Sequence, residues 1–254
     1  MTTAIAWIDG RWGTPESLAL PLNDRGLQLA DGLFETVLVR RGAPMLLKEH
    51  LQRWQAGAEL LGLGAPPDRS MVSPLLTEAV QRSHSADADA VLRLNWSRGG
   101  AGRGIDQPAT GGERFWLTLE PFQPLFSTVS TVISRLEQRN ASSVLSRCKS
   151  FAYGQAIQAR REARERGTDD ALLRNTDGQL CCGTVANLLV HRHGTWLTPP
   201  VSSGCLPGVM RGACLANGLA QESDLDADLQ KGDQALLINS LSCRPIHSVD
   251  GIEL

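Results

Sequence analysis

Short stretches of alternating apolar and polar residues run through the chain, and one change of period interrupts them early. Ala4-Ile5-Ala6-Trp7-Ile8 followed by Asp9-Gly10 predicts a strand and a turn, and FETVLVRRGAPMLL (34–47) predicts two strands about an Arg-Gly turn. From 48 to 63 the spacing becomes helical, with Leu51, Trp54, Ala58 and Leu61 on one face, and a second helix is expected over Met71 to Arg82. Strands are expected at 90–96 and 115–119, separated by the glycine-rich SRGGAGRGID (97–106). PFQPLF (121–126) carries two prolines and no period, which marks a linker.

Beyond it come a strand near 128–135, a helix from about Lys149 to Arg166, and short strands across 170–198 broken at Asp177-Gly178 and His193-Gly194. PGVMRGACLANGL (207–219) reads as a helix opened by Pro-Gly, and DQALLINSL (233–241) as a buried strand ending in polar Asn-Ser. Strands and helices mix without a βαβ rhythm, so the expected class is α+β in two lobes rather than a doubly wound sheet. The boundaries are a small α/β domain at 1–120, a linker at 121–127 and a larger domain at 128–254.

Composition narrows the function classes. With 254 residues, 42% hydrophobic and 20% charged, the chain has the makeup of a soluble globular protein with a sizeable core. A net charge of −2 gives no support to a nucleic-acid or anionic-membrane partner. No apolar run approaches the roughly 18 residues that span a bilayer, and MTTAIAWIDGRW lacks a basic segment with a long apolar run, so a cytoplasmic location is expected. The six cysteines (148, 181, 182, 205, 214, 243) show no C-x-x-C spacing and are expected to be reduced thiols packed as small hydrophobes. His191 and His193 share one side of a strand, but no third ligand is evident and no metal is expected.

Of 25 basic residues only Lys48, Lys149 and Lys231 are lysines, so amine chemistry has few candidates. Lys149 is either a solvated surface lysine or, flanked by Val144, Leu145, Phe151 and Tyr153, a partly desolvated amine suited to a Schiff base. Phosphate has three candidate partners: the Arg53 guanidinium, the Val209 and Met210 amides at a helix start, and the Ser240 hydroxyl. Each also has an ordinary reading, as a surface charge, a turn and a strand end.

The order of these stretches resembles one family. NDRGLQLADGLFETVLVRRGAPMLLKEHLQRW (23–54), KSFAY (149–153), TDGQLCCGTVANLL (176–189), CLPGVMR (205–211) and INSL (238–241) are similar to the motifs of the fold-type IV pyridoxal phosphate enzymes. That family contains branched-chain and D-amino-acid aminotransferases and aminodeoxychorismate lyase. The resemblance implies a small α/β lobe and a larger barrel-like lobe with the cofactor between them, usually as a homodimer acting on an anionic small molecule. It implies that Lys149 binds pyridoxal phosphate as a Schiff base and that Arg53, the Val209 and Met210 amides and Ser240 hold the phosphate. Tyr153 would approach the ring near its phenolic oxygen, and Asn187 would help order the site.

Within the family, DRGLQLADGLFET (24–36), with Thr36 near the reacting centre, and the arginines of WSRGGAGRGID (96–106) lean towards aminodeoxychorismate lyase. Arg98 and Arg103 would meet substrate carboxylates, and Lys149 would act as base and then acid in releasing pyruvate and forming 4-aminobenzoate for folate biosynthesis. A D-amino-acid or branched-chain aminotransferase is the alternative, and a degenerate non-enzymatic homologue a further one. One departure stands out. Counting from Gly178 and back from Asn187, the family's ring-nitrogen glutamate falls on Cys182. A thiol is a weak hydrogen-bond partner and ordinarily uncharged at neutral pH.

Overall fold

The structure, a computed structural model, describes residues 2–100, 104–106, 111–225 and 228–254. The chain divides into two compact units, one of Met1–Pro124 with Cys148–Ala152 and one of Leu125–Arg147 with Tyr153–Leu254.

The first unit contains β1 (Ile5–Ile8), β2 (Arg11–Gly13), α1 (Arg25–Leu29), β3 (Gly32–Arg40), β4 (Ala43–Pro44), α2 (Leu47–Leu60), α3 (Arg69–Arg82), β5 (Asp89–Ser97) and β6 (Arg114–Pro121). The strands form an antiparallel sheet in the order β2-β1-β6-β5-β3-β4. Alternate residues Leu33, Val37 and Val39 of β3 and Leu92 and Leu94 of β5 share a core with Trp54 and Ala58 of α2 and Val72 and Leu76 of α3. The period-two and helical stripes of the sequence therefore meet in one apolar layer. Asp68 caps α3 by accepting from the Ser70 and Met71 amides at 2.9 and 3.2 Å.

In the second unit β7 (Val129–Ile133), α4 (Gly154–Glu165), β8 (Asp170–Arg174), β9 (Leu180–Gly183), β10 (Asn187–Arg192) and β11 (Thr195–Thr198) precede α5 (Val209–Ala216), β12 (Gln221–Glu222), β13 (Gln234–Asn239), β14 (Ser242–Val249) and β15 (Ile252–Glu253). Strands run in the order β10-β13-β14-β7-β8-β9, and β9 pairs back onto β10, which closes a six-stranded barrel. Closure leaves no free edge within the ring. Leu172, Leu188, Val190 and Leu237 fill one cluster, while their sequence neighbours Leu173, Leu189 and Ile238 pack in others beyond it. These strands are apolar on both faces because α4 and α5 cover the outer one.

The helix expected from Lys149 begins only at Gly154. The Phe34 amide donates to the Lys149 carbonyl at 2.9 Å and the Phe151 amide to the Gly32 carbonyl at 3.0 Å. Residues 149–151 thus spend their backbone groups on β3, and a helix cannot start until those bonds end.

Candidate active site

The approach of this segment to β3 depends on a glycine. A Cβ on residue 32 would lie 2.3 Å from the Phe151 ring, so any other residue there pushes the segment away. Held in place, Lys149 puts its Nζ 4.4 Å from the centroid of the Phe34 ring, and Phe151 stacks on that ring at 6.2 Å. Lys149 is half-buried, whereas Lys48 and Lys231 are exposed. An amine against an aromatic face is partly desolvated and electrostatically favoured there.

Thr36 lies two residues from Phe34 on the same face of β3 and pairs directly with Arg93 of β5. The Arg93 guanidinium carbon is 3.7 Å from the same Phe34 centroid, and its Nε donates to Asn95 Oδ1 at 2.8 Å. One ring therefore carries two cationic groups. Sequence reasoning passed over Arg93, although its signal was present: Thr36, Arg93 and Asn95 are polar at alternate positions of strands whose other face is core.

Glu35 points to that other face and is fully buried. It accepts from Arg53 twice, Nε to Oε1 at 2.9 Å and Nη2 to Oε2 at 2.6 Å, and His50 Nδ1 lies 2.7 Å from Oε2. Burial pushes its carboxyl up, but the Arg53 charge and the hydrogen bonds from His50 and Arg53 outweigh that and hold it below the usual carboxylate range. Arg53 is the member of the trio with the more accessible side chain.

The arginine loop is placed differently from the sequence expectation. Arg98 is buried, with Nε on Asp31 at 2.8 Å, Nη1 on the Gly62 carbonyl and Nη2 on the Leu61 carbonyl, both at 2.9 Å. Arg25 joins the same Asp31 oxygen at 2.9 Å, and Asp24 caps α1 while accepting from Ser97 at 2.8 Å. Much of NDRGLQLADG is thus a lock between the strand ends, and Arg98 is a part of it rather than a group presented to a substrate. Arg103 lies outside the described residues.

In the second unit Asn187 and Gly208 meet at the start of α5. Asn187 Nδ2 donates to the Leu206 carbonyl at 2.9 Å, and a Cβ on residue 208 would stand 1.9 Å from Asn187 Oδ1. No side chain caps α5, and its first i to i−4 bond runs from Gly212 to Gly208, so the Val209 and Met210 amides precede the helical ladder. Ser240 follows β13 in a turn held by Asn239, whose Oδ1 accepts from the Leu241 amide at 2.8 Å. Tyr153 is half-buried at the residue before α4.

Cys182 of β9 is buried and pairs with Asn187 of β10. Its neighbour Cys181 donates to the Ser203 carbonyl at 3.3 Å, and hydrogen bonding with Cys182 and Cys205, together with burial, pushes its thiol well up. Cys205 is held below the usual thiol range by the Cys181 hydrogen bond and the Arg211 and Arg139 charges, against the opposing effect of burial. The pair is thus one packing thiol and one thiol beside Asn187.

These donors fit pyridoxal phosphate. The cofactor takes an amine and a cationic or amide cradle for its dianion; the first unit by itself offers the Lys149 amine and the Arg53 guanidinium, and the second by itself offers the amides that follow Gly208, where only glycine leaves room.

The family model described as "Amino-transferase class IV" matches residues 32–249. A Schizosaccharomyces pombe protein named "Putative aminodeoxychorismate lyase" is 33% identical, the match covering 82% of this chain and 85% of that one. A Mycobacterium tuberculosis "Bifunctional aminodeoxychorismate lyase / D-amino acid transaminase" is 25% identical, covering 98% and 92%. A solved structure, "A hypothetical aminotransferase from Mycobacterium tuberculosis, PLP-bound form", superimposes with a TM-score of 0.83 at 25% identity, covering 99% of this chain and 92% of that one. The fold is the two-domain fold of the type IV enzymes. The chain belongs to the class IV aminotransferase family and is a pyridoxal-phosphate-dependent enzyme, a lyase or an aminotransferase.

Proposed function

We propose that the enzyme is an aminodeoxychorismate lyase, converting 4-amino-4-deoxychorismate to 4-aminobenzoate and pyruvate for folate biosynthesis, and that it acts as a cytoplasmic homodimer. The observation that carries this reading is the pairing of Thr36 with Arg93 beside the Phe34 ring on which the Lys149 amine rests. The substrate is a dicarboxylate, and a guanidinium next to the reacting amine suits it. The names of the 33% and 25% identical relatives support the same activity.

Pyridoxal phosphate, when bound, supplies an electron-withdrawing ring conjugated to the substrate nitrogen. Lys149 Nζ takes the proton from the ring carbon bearing that nitrogen. It then returns a proton to the enolpyruvyl oxygen as the carbon–oxygen bond breaks, and the enol becomes pyruvate. Arg93 binds a substrate carboxylate, and Thr36 orients the substrate beside Lys149. By the order of the family motifs, Arg53 in the first unit and Ser240 and the Val209 and Met210 amides in the second would contact the phosphate, and Tyr153 would flank the ring; Asn187 braces the α5 turn. Cys182 would take the place that the family gives to the ring-nitrogen glutamate, and sulfur there is a weaker hydrogen-bond partner than a carboxylate; a reaction driven by aromatisation would tolerate the weaker electron withdrawal better than transamination does.

Incubation with aminodeoxychorismate should release pyruvate and 4-aminobenzoate in equal amounts. Absence of both products from aminodeoxychorismate, together with transfer of the amino group from D-alanine or a branched-chain amino acid in a separate incubation, would replace this reading with the aminotransferase one.

A further inference from the structure

The buried Glu35 has no part in the chemistry just described, and at first sight it works against it. A carboxylate beside Arg53 repels the phosphate that Arg53 attracts. Its geometry points to what it contributes instead. Both of its oxygens are used on one edge of the guanidinium, Nε to Oε1 at 2.9 Å and Nη2 to Oε2 at 2.6 Å, and His50 Nδ1 sits 2.7 Å from Oε2. Two parallel bonds to a planar fork fix its rotation as well as its position.

We propose that Glu35 is the positioning residue of the cofactor's phosphate anchor: braced by His50, its carboxylate holds the Arg53 fork in the one orientation that receives the phosphate. The inference rests on the assignment of Arg53 to the phosphate made above.

Three features support it. His50 and Arg53 stand three residues apart on α2, so they present one face to Glu35. Glu35 and His50 side chains are each 1% exposed against 11% for Arg53, so the trio is rigid at its base and accessible at the arginine. Finally, Glu35 lies between Phe34 and Thr36 on β3. The strand that carries the platform of the Lys149 amine on one face therefore carries the clamp on the other. Amine and anchor are set from a single rigid element, and the rotamer freedom of a long side chain is lost on folding rather than on binding.

The test compares equilibrium affinities of the full-length apoenzyme for pyridoxal phosphate and for pyridoxal, which lacks the phosphate. Glu35→Gln and Glu35→Asp are each expected to narrow the ratio of the two affinities by about tenfold or more, with pyridoxal binding little changed. Glu35→Asp keeps the charge and withdraws the carboxylate by one methylene, so it decides the matter if Glu35→Gln does not fold. His50→Gln, which removes the brace alone, should narrow the ratio by about threefold. An unchanged ratio in both Glu35 variants, or a wider one in Glu35→Gln from relief of repulsion, overturns the proposal; so does an equal loss of both affinities, the mark of a merely structural residue. Arg53→Ala serves as the reference: a wild-type ratio in that variant means that the anchor assignment itself has failed.

Discussion

Asn187 Oδ1 stands 1.9 Å from where a Cβ of residue 208 would be, while its Nδ2 holds the Leu206 carbonyl two residues earlier. The side chain both braces the turn before α5 and excludes every residue but glycine from its cap. Gly208→Ala should therefore cost about 1–3 kcal/mol in unfolding experiments through overpacking and weaken pyridoxal phosphate binding. Asn187→Ala in the same chain should restore much of the stability without restoring the affinity, since the brace is then lost. Equal recovery of both would separate Asn187 from the cofactor.

Arg93 and Arg98 lie close in sequence and are expected to fail in opposite ways. Arg93→Ala should lower kcat/KM for the anionic substrate by about 10–100-fold, the loss of a charge-assisted contact, with stability little altered. Arg98→Ala removes a buried partner of Asp31 and the guanidinium's bonds to the Leu61 and Gly62 carbonyls, so it should cost about 3 kcal/mol in denaturant unfolding. Steady-state kinetics and urea melts on the two variants check both halves.

Cys182→Glu restores a carboxylate beside Asn187. Lyase activity should stay similar while transamination of D-alanine rises, because a charged partner strengthens electron withdrawal by the ring. Loss of cofactor binding in this variant would remove Cys182 from the ring nitrogen.

Glu162 provides a stability prediction independent of catalysis. Its carboxylate accepts from Ser134 Oγ at 2.6 Å and from the Arg135 and Leu136 amides at 3.0 and 3.4 Å. Burial raises its carboxyl, but the Ser134 and backbone hydrogen bonds outweigh this and leave it lowered. A depressed folded value contributes stability that is present above the ordinary glutamate range, near 4.3, and lost as pH falls through the folded value. Glu162→Gln should cost about 1.5–3 kcal/mol at neutral pH, and the gap from wild type should close on acidification. A gap that is constant down to strongly acidic pH would mean that the ionised form is not what the site prefers.

Much of this protein was legible from the chain alone. The helical stripe at Leu51, Trp54, Ala58 and Leu61 and the alternation of β3 and β5 follow from period and burial, which are local properties. Lys149 became a candidate because lysine is scarce here, and Arg53, Asn187 and Cys182 became candidates because motif order places them. The tertiary structure decided what depends on partners far away in sequence. The helix expected at Lys149 was displaced to Gly154 because residues 149–151 bond to β3, more than a hundred positions earlier. Arg98, an apparent substrate group on a glycine-rich loop, is taken up by Asp31 and two carbonyls, and Arg93, unremarked in its strand, shares the Phe34 ring with the amine. Glu35, one letter of a motif, acquires a role only when folding buries it against His50 and Arg53. Side-chain type and spacing set which element forms, whereas the fate of a charge depends on the groups that reach it once water is excluded.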